Sequence, residues 1–272
     1  MKRIVLCGLI MLVLSGPART GEPAPVNRVF QPGEELRYKV KWNFLRLGTL
    51  TVRTTRDNNC KGPGEFKLVM IVESNPDLGF IWIREWNESL MDGMTLGSKQ
   101  FLGKHRNGDS YVEIRQAYNK EQRTAVYTEI DGNLGTLRSS DTLRNVDSYV
   151  EGPSLLFYTR CMSRSFGVKR VPTLVGGKIA ATELRFDGTT EDVEIDAVDR
   201  PVRTRYYTGH AEWTGGSTAG LSGDFTGWVS DDAAAVPIVA ELKVLLGSIR
   251  LELEQWSRPG WVPPSGPTLV QK

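Results

Sequence analysis

The sequence has 272 residues, of which 40% are hydrophobic, 24% charged and 9% aromatic, the profile of a chain that buries a core. Its 28 glycines follow no G-x-y period and its 14 prolines form no dense tract, which excludes collagen-like and low-complexity chains. A balance of 34 Lys and Arg against 32 Asp and Glu leaves +2, with only short basic clusters such as Lys39 with Lys41, so no nucleic-acid partner is expected.

The chain opens as an export signal. Lys2 and Arg3 precede an eleven-residue apolar run, Ile4 to Leu14, broken only by Gly8, and Ser15, Gly16, Pro17 and Ala18 supply small residues for cleavage. The run falls short of the ~20 apolar residues that span a bilayer, and no later stretch approaches that length. The expectation is a periplasmic protein with no transmembrane segment in the mature chain. Cleavage after Ala18 leaves that chain near neutral, which argues against docking on anionic lipid. Cys7 lies inside the apolar run, where a lipidation site does not fall. Cys60 and Cys161 then remain as a disulfide candidate in an oxidising compartment. Such a bridge closes a loop of about 100 residues, worth roughly 4 to 5 kcal/mol in the chain-entropy model, and the alternative is two buried free thiols.

From Leu36 to Trp42 apolar residues alternate with Arg37, Lys39 and Lys41, which predicts a strand with one buried and one wet face. Leu50 and Val52 continue the pattern after Gly48. Phe66, Leu68, Met70 and Val72 mark a third strand, and Val69 with Ile71 make its opposite face apolar too. Further strands are expected near 79–90, 96–102, 110–118 and 124–130, separated by turns such as Asn107-Gly108 and Asp131-Gly132, in an antiparallel meander. Gly152, Pro153 and Ser154 then head one short helix, about 153–166, with Gly167 past its end. Strand patterning resumes at 178–186, 191–195, 202–208 and 223–229. In the last segment, 235–246 runs into Gly247 and alternating Ile249, Leu251 and Leu253, where Gly247 marks a bend in one long strand or a tight turn between two.

No linker or repeat divides the chain, and the gap from Ser139 to Ser154 is the nearest thing to an internal boundary. The expected organisation is a signal at 1–18, a leader at 19–30, one β-rich domain at 31–257 and a flexible Pro-rich tail at 258–272. The fold class is mainly β, a single strongly curved antiparallel sheet or open barrel, with the helix plugging or lining its concave face.

Four segments, in order, resemble a family of exported bacterial proteins known as domain of unknown function 3108. They are Phe30-Gln-Pro-Gly-Glu-Glu-Leu-Arg-Tyr38 with Gly48 after it, Ser154-Leu-Leu-Phe-Tyr-Thr-Arg160, the Asp199-Arg-Pro-Val202 turn, and Asp232 to Pro237 followed by Gly247-Ser-Ile249. The likeness covers about residues 30 to 256. It implies an envelope location and a β-rich single domain, and it brings no activity and no catalytic residues to carry over. Ala233-Ala-Ala235 makes the last segment unusually rich in alanine.

The search for chemistry excludes more than it finds. His105 and His210 are the only histidines, and no G-x-S-x-G, S-x-x-K or phosphate-loop motif occurs, because Gly176-Gly177-Lys178 lacks the spacing. His210 and Glu212 share a strand face but lack a third metal ligand, and Asp231-Asp232 reads as a turn. The Gly-rich stretch 215–220 reads as a hairpin loop. No enzyme activity, metal or cofactor is therefore expected.

One segment does suggest binding. Period two places Phe80, Trp82, Arg84 and Trp86 on one face of a strand, a cation among aromatic rings suited to an acyl chain with an anionic head or to a sugar. With Tyr158 of the helix over it, this face is the expected ligand site; the plainer reading is a strand buried on both sides. The function expected is that of an exported protein that binds a lipid or glycan in a concave β face. The alternatives are an envelope assembly factor acting through protein contacts and, behind it, a hydrolase using a histidine base.

Overall fold

The structure, a computed structural model, describes residues 26–56, 58–62, 64–79, 82–213, 223–243 and 247–266. A single helical turn, α1 (Val26–Val29), leads into seven strands built on period-two alternation: β1 (Glu34–Trp42), β2 (Leu45–Thr55), β3 (Glu65–Ser74), β4 (Ile83–Asp92), β5 (Gly97–Asn107), β6 (Ser110–Asn119) and β7 (Thr124–Asp131). An eighth, β8 (Thr136–Arg144), follows. The helix α2 (Gly152–Met162) separates it from β9 (Gly167–Val175), β10 (Lys178–Phe186), β11 (Thr190–Val193), β12 (Val202–Ala211), β13 (Gly223–Ser230), β14 (Pro237–Lys243) and β15 (Ser248–Ser257).

These strands form one antiparallel sheet in the order β8-β7-β6-β5-β4-β3-β2-β1-β15-β14-β13-β12-β10-β9, with β11 added to β12. Two meanders thus run outward from a central β1–β15 pair, in which Leu36 faces Trp256 and Val40 faces Leu251. The two outermost strands, β8 and β9, are the ones that flank α2. The connector between β8 and α2 joins the two sides of the curled sheet. Val146 N–H donates to Arg123, Ser98 N–H to Tyr149 and Val150 N–H to Pro172, and Val150 in turn accepts from Leu174. Ala125, Val146, Tyr149 and Leu174 pack as one cluster across that seam. The stretch expected to be a boundary between halves is therefore what ties the halves together.

Inside the curl, α2 buries Leu155, Phe157, Thr159, Arg160 and Cys161. The Phe157 ring stacks on Phe30, and Phe30 on Phe66, with centroids 4.9 and 4.6 Å apart. At the base lies a buried ionic hub. Arg160 holds Glu34 through both guanidinium ends at 2.6 and 3.0 Å, and it also donates to the carbonyls of Ala234 and Ala235. Arg258 pairs with the same carboxylate and donates to Val29. Burial pushes the Glu34 carboxyl up, but the two guanidinia outweigh it and hold the group below its ordinary range. The hub fastens α1, β1, α2, the β13–β14 turn and the C-terminal segment at one point.

Several expectations need correction. The helix ends at Met162 rather than 166, and β8 and β9 lie where no strand was expected. Gly247, at φ 91°, sits between two antiparallel strands, so it belongs to a reversal and not to a bend in one. The wet face of β1 is only partly wet. Lys39 is buried against Glu252 at 2.7 Å and also pairs with Asp196. The supposed leader contributes Val29 and Phe30 to the core. The supposed flexible tail is fixed through residue 266: Arg203 N–H donates to Pro264, Gly266 N–H to Pro201, and Trp261 Nε1 to Asp232. No disulfide forms either. Cys161 is a free thiol at 0% exposure in the core, where burial pushes it up to about 12, and Cys60 is a half-buried free thiol between β2 and β3. The stretch 215–220 and the export signal lie outside the described residues.

Candidate functional site

The concave face of the sheet has two chemically different parts. On the β12–β15 side, Tyr207, Phe225, Val229 and Leu253 point inward and are buried. Glycine makes this packing possible: Phe225 lies across Gly209 and Tyr207 across Gly227, their register partners, and a Cβ on either glycine would fall 2.0 to 2.3 Å from the ring. Between these strands, β2, β3 and α2 lies an apolar cavity of about 140 Å3, bounded by Leu50, Met70, Leu155, Phe225, Trp213 and Leu251 among others. Three of the polar side chains at its wall or beside it are hydrogen-bonded to one another. Trp213 Nε1 donates to Thr182 Oγ1 at 3.1 Å, and Thr182 shares a 2.8 Å hydrogen bond with Thr173.

On the β4–β7 side polar residues share the inward positions with the buried Phe101, Ile114 and Tyr127. Asn87 and Ser89 on β4, Ser98 on β5 and Gln116 on β6 are all buried, and they surround Glu151, the residue that caps α2. Ser154 Oγ accepts from Glu151 N–H at 2.8 Å and donates to Glu151 Oε1 at 2.9 Å, and Ser89 donates to that same oxygen. Burial pushes the Glu151 carboxyl up to about 7, against the opposing pull of these serines. His105 Nε2 lies 2.8 Å from Asn87 Oδ1, and burial lowers its pKa, which keeps the ring neutral near pH 7. The polar atoms Glu151 Oε2, Gln116 Oε1, Asn87 Nδ2 and Tyr149 OH are buried without a hydrogen-bond partner. Such orphaned groups are uncommon in folded proteins and mark a place where something polar fits.

The residues singled out by sequence fall elsewhere. On β4 the buried parity is Asn87, Ser89 and Met91, so Arg84 and Trp86 are on the outer face. Trp82 is 59% exposed and Arg84 pairs with Glu73 at 3.2 Å, and both border an open external groove of about 880 Å3 with Arg37, Arg46 and Arg106. Trp86 is not part of that groove's lining, Phe80 lies outside the described residues, and Tyr158 packs against the interior cluster of Val150, Leu155 and Phe186. The expected constellation is thus divided between outside and inside. His210 and Glu212 also separate, His210 to Asp224 and Glu212 to Arg170, and among the described residues no cluster could hold a metal ion. Sequence reasoning passed over Glu151, Gln116 and Asn87. For Asn87 the signal was present in polar residues at alternate positions of β4, between the outward Trp86, Glu88 and Leu90.

The family model for protein of unknown function (DUF3108) matches residues 37–254. The chain belongs to this family. The fold gives the family's marked segments a physical meaning: Glu34, Arg160 and the turn that starts at Asp232 meet in the ionic hub, where Asp232 Oδ1 accepts from the backbone of Ala234 and Ala235. Ala235 sits there at φ 45°, fixed by that bond and by Arg160 on its carbonyl. No functionally curated protein matches the sequence. Among solved structures the fold is similar to the crystal structure of a β-barrel-like protein of domain of unknown function DUF1849 from Brucella abortus, with TM-score 0.54, 9% identity, and 82% of this chain and 96% of that chain covered. At that identity the likeness is one of fold. No helix among the described residues is long and apolar enough to cross a membrane.

Proposed function

We propose that this protein is an exported, non-enzymatic binder of an amphipathic envelope molecule, held by its apolar part between α2 and the concave face of the sheet. The observation that carries the reading is the apolar cavity under Leu155, bounded by Leu50, Met70, Phe225 and Leu251. A cavity of about 150 Å3 lined by apolar side chains stays dry and takes up a benzene-sized guest, so 140 Å3 suits one ring or a short alkyl segment. The apolar run behind Lys2 and Arg3 supports export, and the missing nucleophile–base pair supports the absence of catalysis.

The test is mass spectrometry of small molecules extracted from the mature protein purified gently from the periplasm, beside an Ala240→Phe variant that fills the cavity from β14. A stoichiometric amphiphile that the variant has lost supports the reading. A wild-type protein that stays empty and takes up no added apolar probe overturns it, and material found only in the cytoplasm with residues 1–18 still attached removes the export half. One observation favours the assembly-factor alternative: β8 pairs only with β7 and is exposed along its length. A proline at Ser140 that abolishes capture of a specific envelope protein, with the cavity untouched, would select it.

A further inference from the structure

The apolar cavity has a polar neighbour. Gly152 and Val175 line both it and a second, much smaller pocket of about 20 Å3, whose wall includes Glu151, Gln116, His105 and Tyr127. A site needs about 10 to 15 Å3 to hold one water, so this pocket fits a single oxygen- or nitrogen-sized group. Two of its wall residues, Glu151 and Gln116, are at most 6% exposed and carry orphaned acceptors, Oε2 and Oε1. Among the neighbouring polar atoms, Glu151 Oε1 is engaged with Ser89 and Ser154, the Tyr127 hydroxyl with Glu129, and His105 Nε2 with Asn87.

We propose that the small pocket binds the hydrogen-bond-donating head, hydroxyl or ammonium, of an amphiphile whose apolar end occupies the adjoining cavity, with Glu151 and Gln116 as the acceptors. The inference rests on the cavity reading above and adds the head-group chemistry to it. Above pH 7, where the Glu151 carboxyl is ionised, an anionic head would set its lone pairs against those of the carboxylate and the Gln116 amide oxygen, so it is rejected. A purely apolar guest leaves both acceptors unpaired.

Four probes share one ring and differ only in the head: toluene, benzyl alcohol, benzylamine and benzoate, titrated by calorimetry into the mature protein at about pH 8, where Glu151 is ionised. The alcohol or the amine should bind about tenfold more tightly than toluene, the yield of one good hydrogen bond to a buried acceptor, and benzoate no better than toluene. The tighter of the two identifies the head as hydroxyl or ammonium. Gln116→Leu and, separately, Glu151→Gln should bring the preferred probe close to toluene, while Ala240→Phe weakens every probe. Toluene binding with no gain from either donor overturns the head-group inference and leaves the cavity reading standing. Benzoate as the best probe overturns it as well, and so does a preference that survives both acceptor variants. Failure of all four probes on the wild type removes the cavity reading together with the inference.

Discussion

The inner walls contributed by β12–β15 and by β4–β7 differ in how much polar surface they bury. The first presents Tyr207, Phe225, Val229 and Leu253, and the second sets Asn87, Ser89 and Gln116 among Phe101, Ile114 and Tyr127. Burying apolar surface stabilises a fold in proportion to area, whereas burying an amide or carboxyl without its full set of partners costs stability. The apolar wall is therefore where the fold is held, and the polar wall is where the fold gives up stability to keep chemical groups in place. Changes in the two walls should move stability in opposite directions.

The largest effect belongs to the apolar wall. Phe225→Ala removes a buried ring that spans Gly209 and borders the cavity, and it should cost about 3 to 5 kcal/mol in denaturant unfolding. A loss below about 1 kcal/mol would mean that this wall is soft and that the comparison fails. Next is Glu151. Its carboxyl is held at about 7 by burial, above an ordinary value of 4.5, so between those limits the unfolded chain ionises while the folded chain keeps its proton. Stability contributed by the neutral carboxyl is thus fully present below pH 4.5 and falls as pH rises, by about 1.4 kcal/mol per pH unit or about 3 kcal/mol in all by pH 8. Glu151→Gln should remove that slope, so urea unfolding of variant and wild type should diverge with rising pH in the variant's favour. Glu252 works the other way. Lys39 and neighbouring donors outweigh its burial and hold it at about 2, so its contribution is present above pH 4.5 and lost as pH falls toward 2. A smaller effect is expected for Gln116→Leu, which replaces a buried amide with an orphaned oxygen by an apolar group of similar size. It should be neutral or stabilising by about 1 kcal/mol. Clear destabilisation would mean that Gln116 is fully satisfied and that the polar wall is ordinary core.

What was legible in the sequence follows the same division. Alternation in 36–42 and 178–186 located β1 and β10, and the apolar residues on both faces of 66–72 located β3. β8 was missed because all its residues but Leu143 are exposed and it has no face to alternate toward. β9 was missed because Pro172 interrupts its pattern, which is tolerable only because β9 ends the sheet. The tail was read as mobile from its prolines, while its order comes from Arg258, Trp261 and Pro264 meeting residues some 25 to over 200 positions away, contacts that no local pattern encodes. The site was misread for a related reason. Period two sorts a strand into two faces without saying which is concave, and on β4 the aromatic face looked like the inside because Asn87 and Ser89 looked like the outside.

That ambiguity gives the smallest predicted effect and a direct check on the location of the site. Trp82 is exposed, and its indole N–H donates to Gly79 within its own turn. Trp82→Ala should change stability by no more than about 0.5 kcal/mol and leave any co-purified amphiphile in place. If the amphiphile is lost instead, the site is the outer groove. There Arg37 and Arg106 border the groove beside Arg46, which is paired with Glu254, and Arg84, which is paired with Glu73, and a ligand held by these cations would be anionic where the interior demands a donor. The two locations require different head groups, a donor inside and an anion outside, so a single exposed tryptophan distinguishes a protein that encloses its ligand from one that carries it on the outer surface.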